Sequence, residues 1–208
     1  MKRTFLVIAG MITIVVALFV NANVSLGDAY VVGDYVEDFA LTNVDGARVS
    51  LADYDVAKGF IVTFTCNTCP YAKGYEQRIM DLDVKYAALG FPVIAINPND
   101  IQRVPDDSME AMQARAEEMG YTFPYLRDDS QEVARAFGAT KTPHIYVLSN
   151  ESGQYRVEYI GAIDDNPRDA AGVSERYVED VVDALLAGNE PPYREQRAIG
   201  CTIKWKDS

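Results

Sequence analysis

The sequence predicts an α/β domain with a central mixed β-sheet and helices on both faces. Three observations carry this expectation. Apolar, β-branched runs of strand length alternate with segments of helical spacing, in the order β-β-β-α-β-α-β-α-β-β-α. Two of the runs, Gly59–Thr65 and Phe91–Ile96, carry no charge, as strands covered on both faces do. Two cysteines at C-x-x-C spacing, Cys66 and Cys69, fall where the first of these runs gives way to a helical pattern.

Residues 1–27 stand apart from the rest. Lys2 and Arg3 precede an uncharged run from Phe5 to Val20, and small residues follow at Ala22 and Gly27. This is the layout of a secretory signal: a basic start, an apolar stretch, then small residues at a cleavage site. The apolar run is shorter than the roughly 20 residues that span a bilayer comfortably. Residues 1–27 are therefore read as a signal peptide or as an N-terminal anchor through residues 5–20. The protein is expected to be exported, to the periplasm or another extracytoplasmic space. A domain over 28–190 and a tail over 191–208 complete the division.

Along the domain, Tyr30 to Val36 reads as a connector. Asp38–Thr42 and Ala47–Leu51 read as a hairpin around the Asp45-Gly46 turn. After the central strand Gly59–Thr65, residues Tyr75, Ile79, Leu82, Tyr86 and Leu89 fall at helical spacing, and Gly90 marks the stop. Phe91–Ile96 is the next strand. Asp107 with Glu110 reads as a capping box for a helix running to Met119, with Gly120 behind it. Tyr121–Leu126 is a short extended segment, and Ser130–Phe137 a short helix ended by Gly138. The loop Thr140–His144 feeds the strand Ile145–Leu148, which turns at Asn150–Gly153 and pairs back through Tyr155–Ile160. A last helix opens near Ser174, with Val178, Val181, Val182 and Leu185 as its apolar stripe. The tail is irregular apart from the alternation at Thr202–Trp205. Right-handed connections are expected to place the two βαβ helices on opposite faces of the sheet.

The 208 residues are 49% hydrophobic and 24% charged, with a net charge of −12 that becomes −14 without Lys2 and Arg3. Such a surface is repelled by nucleic acid and by anionic headgroups, so no nucleic-acid partner is expected. Membrane contact is expected solely through an uncleaved N-terminal segment. Three cysteines is an odd count, and an exported chain with an odd cysteine either pairs between chains or keeps a thiol in play.

A helix that begins at or just before Cys66 would set the two cysteines three apart on one face of its first turn. Their Cβ atoms would then be roughly 5–6 Å apart, close to disulfide geometry. The first sulfur would lie beside free N–H groups and the positive end of the helix dipole, which favour the reactive thiolate. Strand, dithiol, helix is the arrangement of a redox site.

Over about residues 30–187 the chain resembles the thioredoxin-like fold, in particular the peroxiredoxin-like AhpC/TSA group. The resemblance rests on the early hairpin with Gly46 and Ser50-Leu51-Ala52-Asp53-Tyr54, on the strand–Cys66-Asn67-Thr68-Cys69–helix unit, and on Thr142-Pro143 ahead of a strand. The tail Gly200-Cys201-Thr202-Ile203-Lys204-Trp205 looks like the end of a peroxiredoxin-like subgroup. The resemblance implies that Cys66 attacks and Cys69 resolves a mixed disulfide. It implies a cis-proline at Pro143, with the backbone of Thr142 offered to substrate. Two positions depart from the pattern. Phe60 stands where thioredoxins usually have a buried aspartate, and Gly59 stands where the peroxiredoxin signature has proline, although Thr63 matches its threonine.

The chemistry expected is a Cys66/Cys69 dithiol–disulfide cycle that needs no cofactor and no metal. Its partners would be protein or small-molecule thiols and disulfides, with an upstream thiol reductant or oxidant. Three rivals stand beside it. In a thiol peroxidase Cys66 would be the peroxidatic cysteine, with Arg127 or Arg135 reaching it through space. In a copper- or zinc-binding chaperone the cysteines would act with His144, and a Cys₃His set of Cys66, Cys69, Cys201 and His144 would suit zinc. A catalytically silent binding module is the third. Cys201 is either a spare thiol or a third redox cysteine, brought by the tail over the site to exchange with Cys66 or Cys69. His144 reads as a packing or surface residue, Lys73 as a solvated lysine on the helix, and Trp205 as a cap on the site or an anchor for the tail.

Overall fold

The computed structural model of the protein describes residues 29–207, so the leader expected over residues 1–27 lies outside the described residues. Its strands are β1 (Tyr35–Val36), β2 (Ala40–Asn43), β3 (Arg48–Ser50), β4 (Gly59–Phe64), β5 (Val93–Asn97), β6 (Tyr125–Arg127), β7 (Lys141–Thr142), β8 (His144–Glu151), β9 (Gln154–Gly161) and β10 (Cys201–Thr202). The helices are α1 (Pro70–Tyr86), α2 (Met109–Met119), α3 (Glu132–Phe137) and α4 (Tyr177–Leu186). Eight strands make one mixed sheet in the order β1-β9-β8-β4-β5-β6-β2-β3, and β10 pairs with β7 in a separate ribbon. β4 runs parallel to β5 and antiparallel to β8, with Val62 between Ile94 and Tyr146. All six residues of β4 are buried, as its unbroken apolar composition requires.

Alternation along the strands divides the core into two layers. Ile61, Val93, Ala95, Tyr125, Ile145 and Val147 pack with Tyr75, Ile79 and Leu82 of α1, Met112 of α2 and the Val178, Val181, Val182 stripe of α4. Phe60, Val62, Phe64, Ile94, Ile96, Leu126, Tyr146 and Leu148 face the other way, toward Ala134 and Phe137 of α3 and Ile203 of the tail. Helices thus cover both faces, but not as the crossovers were expected to arrange them. The units β4-α1-β5 and β5-α2-β6 step across the sheet in the same direction. Connections of one hand that step the same way put their helices on the same face, so α1 and α2 lie together and α3 covers the other side.

Three boundaries also differ from expectation. The connector after residue 29 contains β1, which pairs antiparallel with β9 and extends the sheet at that edge. The N-cap of α2 is Ser108, whose hydroxyl accepts the Ala111 N–H at 3.3 Å, and not Asp107. The last helix opens at Tyr177, because Ser174 and Glu175 are held extended against Asp165: Ser174 N–H donates to its carboxylate at 3.0 Å, and the Asp165 N–H donates to Glu175 O at 3.2 Å. Among the described residues no helix is long and apolar enough to cross a membrane.

Candidate active site

β4 delivers the chain to the site through a last ladder bond from Thr65 N–H to Ile96 O at 2.8 Å. Beyond it the helix does not begin at Cys66. α1 begins at Pro70, with Cys69 as its N-cap in an extended conformation (φ −72°, ψ 123°). Proline explains the correction. Its ring disfavours a helical conformation in the residue before it, while its own missing N–H and fixed φ suit the first helical position. The sulfur at the positive end of α1 is therefore that of Cys69, and Cys66 sits in the loop ahead of the helix.

Both sulfurs meet one residue from the other side of the site. The Thr142–Pro143 peptide bond is cis, as expected. The Thr142 hydroxyl lies 3.2 Å from Cys66 Sγ, and the Thr142 carbonyl oxygen lies 3.1 Å from Cys69 Sγ, which meets it as a donor when protonated. Cys66 and Cys69 are each 3% exposed and Thr142 is 1% exposed.

The two thiols titrate together. The neighbouring Cys66 thiol lowers the pKa of Cys69, burial opposes it, and Cys201 and the Ala72 N–H lower it further. Cys66 is pushed strongly up by that same hydrogen bond to Cys69, by burial and by the charge of Asp107, while the Thr142 hydroxyl pulls it down. The positive end of α1 acts on Cys69 in the same direction.

Asp107 is the residue that sequence reasoning placed elsewhere. It is completely buried, in the turn ahead of α2. Its Oδ1 accepts the Asn67 N–H at 2.7 Å and Asn97 Nδ2 at 3.2 Å. Its Oδ2 accepts Asn99 Nδ2 at 2.7 Å and the Thr68 hydroxyl at 3.2 Å. Asn67, buried in turn, donates to Asp106 O at 2.9 Å and accepts the Tyr125 hydroxyl at 2.9 Å. The loop between the cysteines is thereby fastened to β5, β6 and the turn before α2. The signal available in the sequence was Asp106-Asp107-Ser108, in which the serine could cap and so free an acid to point inward.

The tail closes the site. Cys201 of β10 stands opposite Thr142 of β7, and its N–H points at Cys69 Sγ at 3.3 Å. Cys201, half-buried, packs with Cys66, Cys69 and Ala72. Gly200 passes so close that a Cβ there would lie 2.2 Å from Thr142 O, which no side chain tolerates. The following residues are fixed at several points: Ile203 N–H to Thr140 O at 3.2 Å, Lys204 N–H to Asn99 Oδ1 at 2.8 Å, and Lys206 N–H to Gln131 Oε1 at 2.8 Å. Trp205 lies under the guanidinium of Arg135, 4.5 Å from its ring centroid, and so anchors the tail to α3.

Other singled-out residues lie apart from the sulfurs. His144, paired with Phe64 across the sheet, packs its ring 4.9 Å from Tyr146, and burial lowers its pKa to about 4. Among the described residues no group of three or more His, Cys, Asp or Glu side chains is gathered so that it could hold a metal ion, so the Cys₃His set does not assemble. The guanidinium of Arg127 is committed to Asp129 and to the carbonyls of Asn97, Asn99 and Asp107, and that of Arg135 lies over Trp205; among the described residues neither bonds to Cys66 as expected. Phe60 packs between Tyr54 and Tyr155 at 5.3 and 4.8 Å on the α3 side of the sheet. Thr63 Oγ1 is buried without a partner. Lys73 is exposed.

Known proteins resemble this chain over much of its length. A solved structure of an uncharacterized conserved protein from Geobacillus kaustophilus is 39% identical, with a TM-score of 0.79, and the match covers 85% of this chain and 93% of that one. A Mycobacterium tuberculosis protein assigned provisionally as a peroxiredoxin is 28% identical over 114 residues, 55% of this chain and 68% of the relative. The thiol-disulfide oxidoreductase ResA of Geobacillus thermodenitrificans is 27% identical over 123 residues, 58% of this chain and 64% of ResA. The fold is thioredoxin-like. The AhpC/TSA family model matches residues 32–166, well over half of the sequence, and the chain belongs to that family.

Proposed function

We propose that the protein is an exported thiol–disulfide oxidoreductase that works through a dithiol–disulfide cycle of Cys66 and Cys69. The observation that carries this reading is the convergence of both sulfurs on Thr142, hydroxyl to one and carbonyl to the other, beside the cis-proline. Membership of the AhpC/TSA family and the likeness to a thiol-disulfide oxidoreductase support it. Export rests on the layout of residues 1–27.

The reduced pair shares one proton, and Cys69 is the more acidic of the two thiols. When a disulfide approaches, Cys69 takes that proton, turns it toward the Thr142 carbonyl, and leaves Cys66 as a thiolate steadied by the Thr142 hydroxyl. Cys66 attacks one sulfur of the substrate, and the other leaves as a thiolate. The leaving thiolate takes the Cys69 proton, and Cys69 then attacks Cys66, which forms the Cys66–Cys69 disulfide and releases the second substrate sulfur as a thiolate that takes a proton from solvent. The reverse sequence oxidises a dithiol partner. Substrates are protein or small-molecule thiols and disulfides.

Turnover of a model disulfide such as insulin with a thiol reductant tests the reading. The wild-type chain is expected to accelerate it, and Cys66→Ser and Cys69→Ser are each expected to abolish the acceleration. Equal rates with and without the wild-type protein would exclude the reading. A peroxidase reading draws on Thr63 and on the mycobacterial relative. It would show as peroxide-dependent loss of the Cys66 thiol far faster than loss of free cysteine.

A further inference from the structure

The Cys66–Cys69 pair has an access problem. Each cysteine is 3% exposed, and the backbone of Thr142, onto which an extended partner would pair, is already paired with the tail. The tail therefore slows the approach of a bulky thiol or disulfide to either sulfur. Cys201 occupies the interface between the buried pair and solvent: it packs against Cys66, Cys69 and Ala72 on its inner side, and it is half-buried. Its backbone N–H is directed at Cys69 Sγ, and its register opposite Thr142 is held by Gly200 on one side and by the Ile203, Lys204 and Lys206 bonds on the other.

We propose that Cys201 is a third redox cysteine, which exchanges with Cys69 and carries the disulfide from the buried pair to the surface. The proposal rests on the dithiol cycle above and names the port through which that cycle reaches its partner.

The steps balance. In the oxidised protein the Cys201 thiol loses its proton and attacks Cys69 Sγ. The Cys66–Cys69 bond breaks, the Cys69–Cys201 bond forms, and Cys66 leaves as a thiolate that takes up a proton, with no net gain or loss of electrons. An external dithiol then attacks Cys201. Cys69 leaves as a thiolate, and the partner is joined to Cys201 by a mixed disulfide. The second thiol of the partner closes onto the first and releases Cys201, so the partner leaves as a disulfide and the protein as three thiols. Two electrons have passed from partner to protein.

The order of events has an electrostatic reason. In the reduced protein, burial together with the hydrogen bond to Cys69 and its charge holds Cys201 up at about 11, so the tail cysteine stays protonated and idle. Oxidation of the pair removes the Cys69 part of that restraint, while burial remains, so Cys201 gives up its proton more readily when there is a disulfide to receive.

The test uses the full chain and its Cys66→Ser and Cys201→Ser variants, each checked for an unchanged urea midpoint, with glutathione disulfide as oxidant and dithiothreitol as the external dithiol. Peptide mapping under non-reducing conditions is expected to find a Cys66–Cys69 disulfide in the oxidised wild type and a Cys69–Cys201 disulfide in oxidised Cys66→Ser. Cys201→Ser is expected to form the Cys66–Cys69 disulfide but to be reduced by dithiothreitol at least tenfold more slowly than wild type. Absence of the Cys69–Cys201 link in Cys66→Ser, or an unchanged reduction rate in Cys201→Ser, overturns the relay and leaves the dithiol cycle standing. A wild-type chain that forms no Cys66–Cys69 disulfide overturns the cycle itself, and the relay with it.

Discussion

Asp107 accepts the backbone N–H of Asn67 at 2.7 Å, so a carboxylate from the turn before α2 holds the loop between the two cysteines. That loop has no regular structure of its own, since α1 begins at Pro70, and the acid supplies the order that a helical turn would have supplied. All four of its partners are donors, from Asn67, Thr68, Asn97 and Asn99.

Asp107→Asn turns an amide N–H₂ toward donors and leaves at least one of them unpaired. A loss of about 1–3 kcal/mol is expected, read from the urea midpoint at constant m-value. The same substitution removes a negative charge that pushes Cys66 up, so the pH at which Cys66 is alkylated should fall. A stable variant with an unmoved alkylation profile would remove Asp107 from the account of the site.

Gly200→Ala tests the seating of the tail. A Cβ there would stand 2.2 Å from Thr142 O, so β10 must lift from β7. Cys66 and Cys69, each 3% exposed, should then alkylate several-fold faster with iodoacetamide, as resolved by mass spectrometry. Unchanged rates would mean that the tail does not shield the pair.

His144 gives an acid-side signature. Burial lowers its pKa from 6.5 to about 4, so it is neutral in folded and unfolded chains above pH 6.5. Below that the unfolded chain gains a proton that the folded protein refuses until about pH 4, and stability falls as pH falls through this window. The slope is about 1.4 kcal/mol per pH unit, or about 3 kcal/mol in all. His144→Gln should remove this loss. Urea midpoints of the two proteins between pH 7 and 4 would converge as the pH drops, and parallel curves would contradict the prediction.

Periodicity carried most of the fold into the sequence. The unbroken apolar run of β4, the helical stripe of Tyr75, Ile79 and Leu82, and glycines at 90 and 120 in left-handed conformations all lie where patterning predicts. What depended on three-dimensional stepping order did not show, and α1 and α2 share a face for that reason. Thr142-Pro143 was legible because its chemistry is local. The start of α1 was legible too, in Pro70, but the C-x-x-C spacing drew attention to Cys66 instead. Asp107 was hidden because an acid before an amphipathic helix looks like a cap, and only the assembled fold brings Asn67, Asn97 and Asn99 around it. The tail was half legible: its third cysteine pointed to the site, whereas its pairing opposite Thr142 depends on contacts far apart in sequence.

The central claim, that Cys66 and Cys69 cycle between dithiol and disulfide, is tested most directly by titrating the Cys201→Ser chain against glutathione buffers and counting the Cys66 and Cys69 thiols by mass-resolved labelling. The account predicts a two-electron transition in which both thiols are lost together, with a midpoint between about −120 and −270 mV, the range of thiol–disulfide oxidoreductases. Thiols that persist across the whole range, or that are lost one without the other, would contradict it.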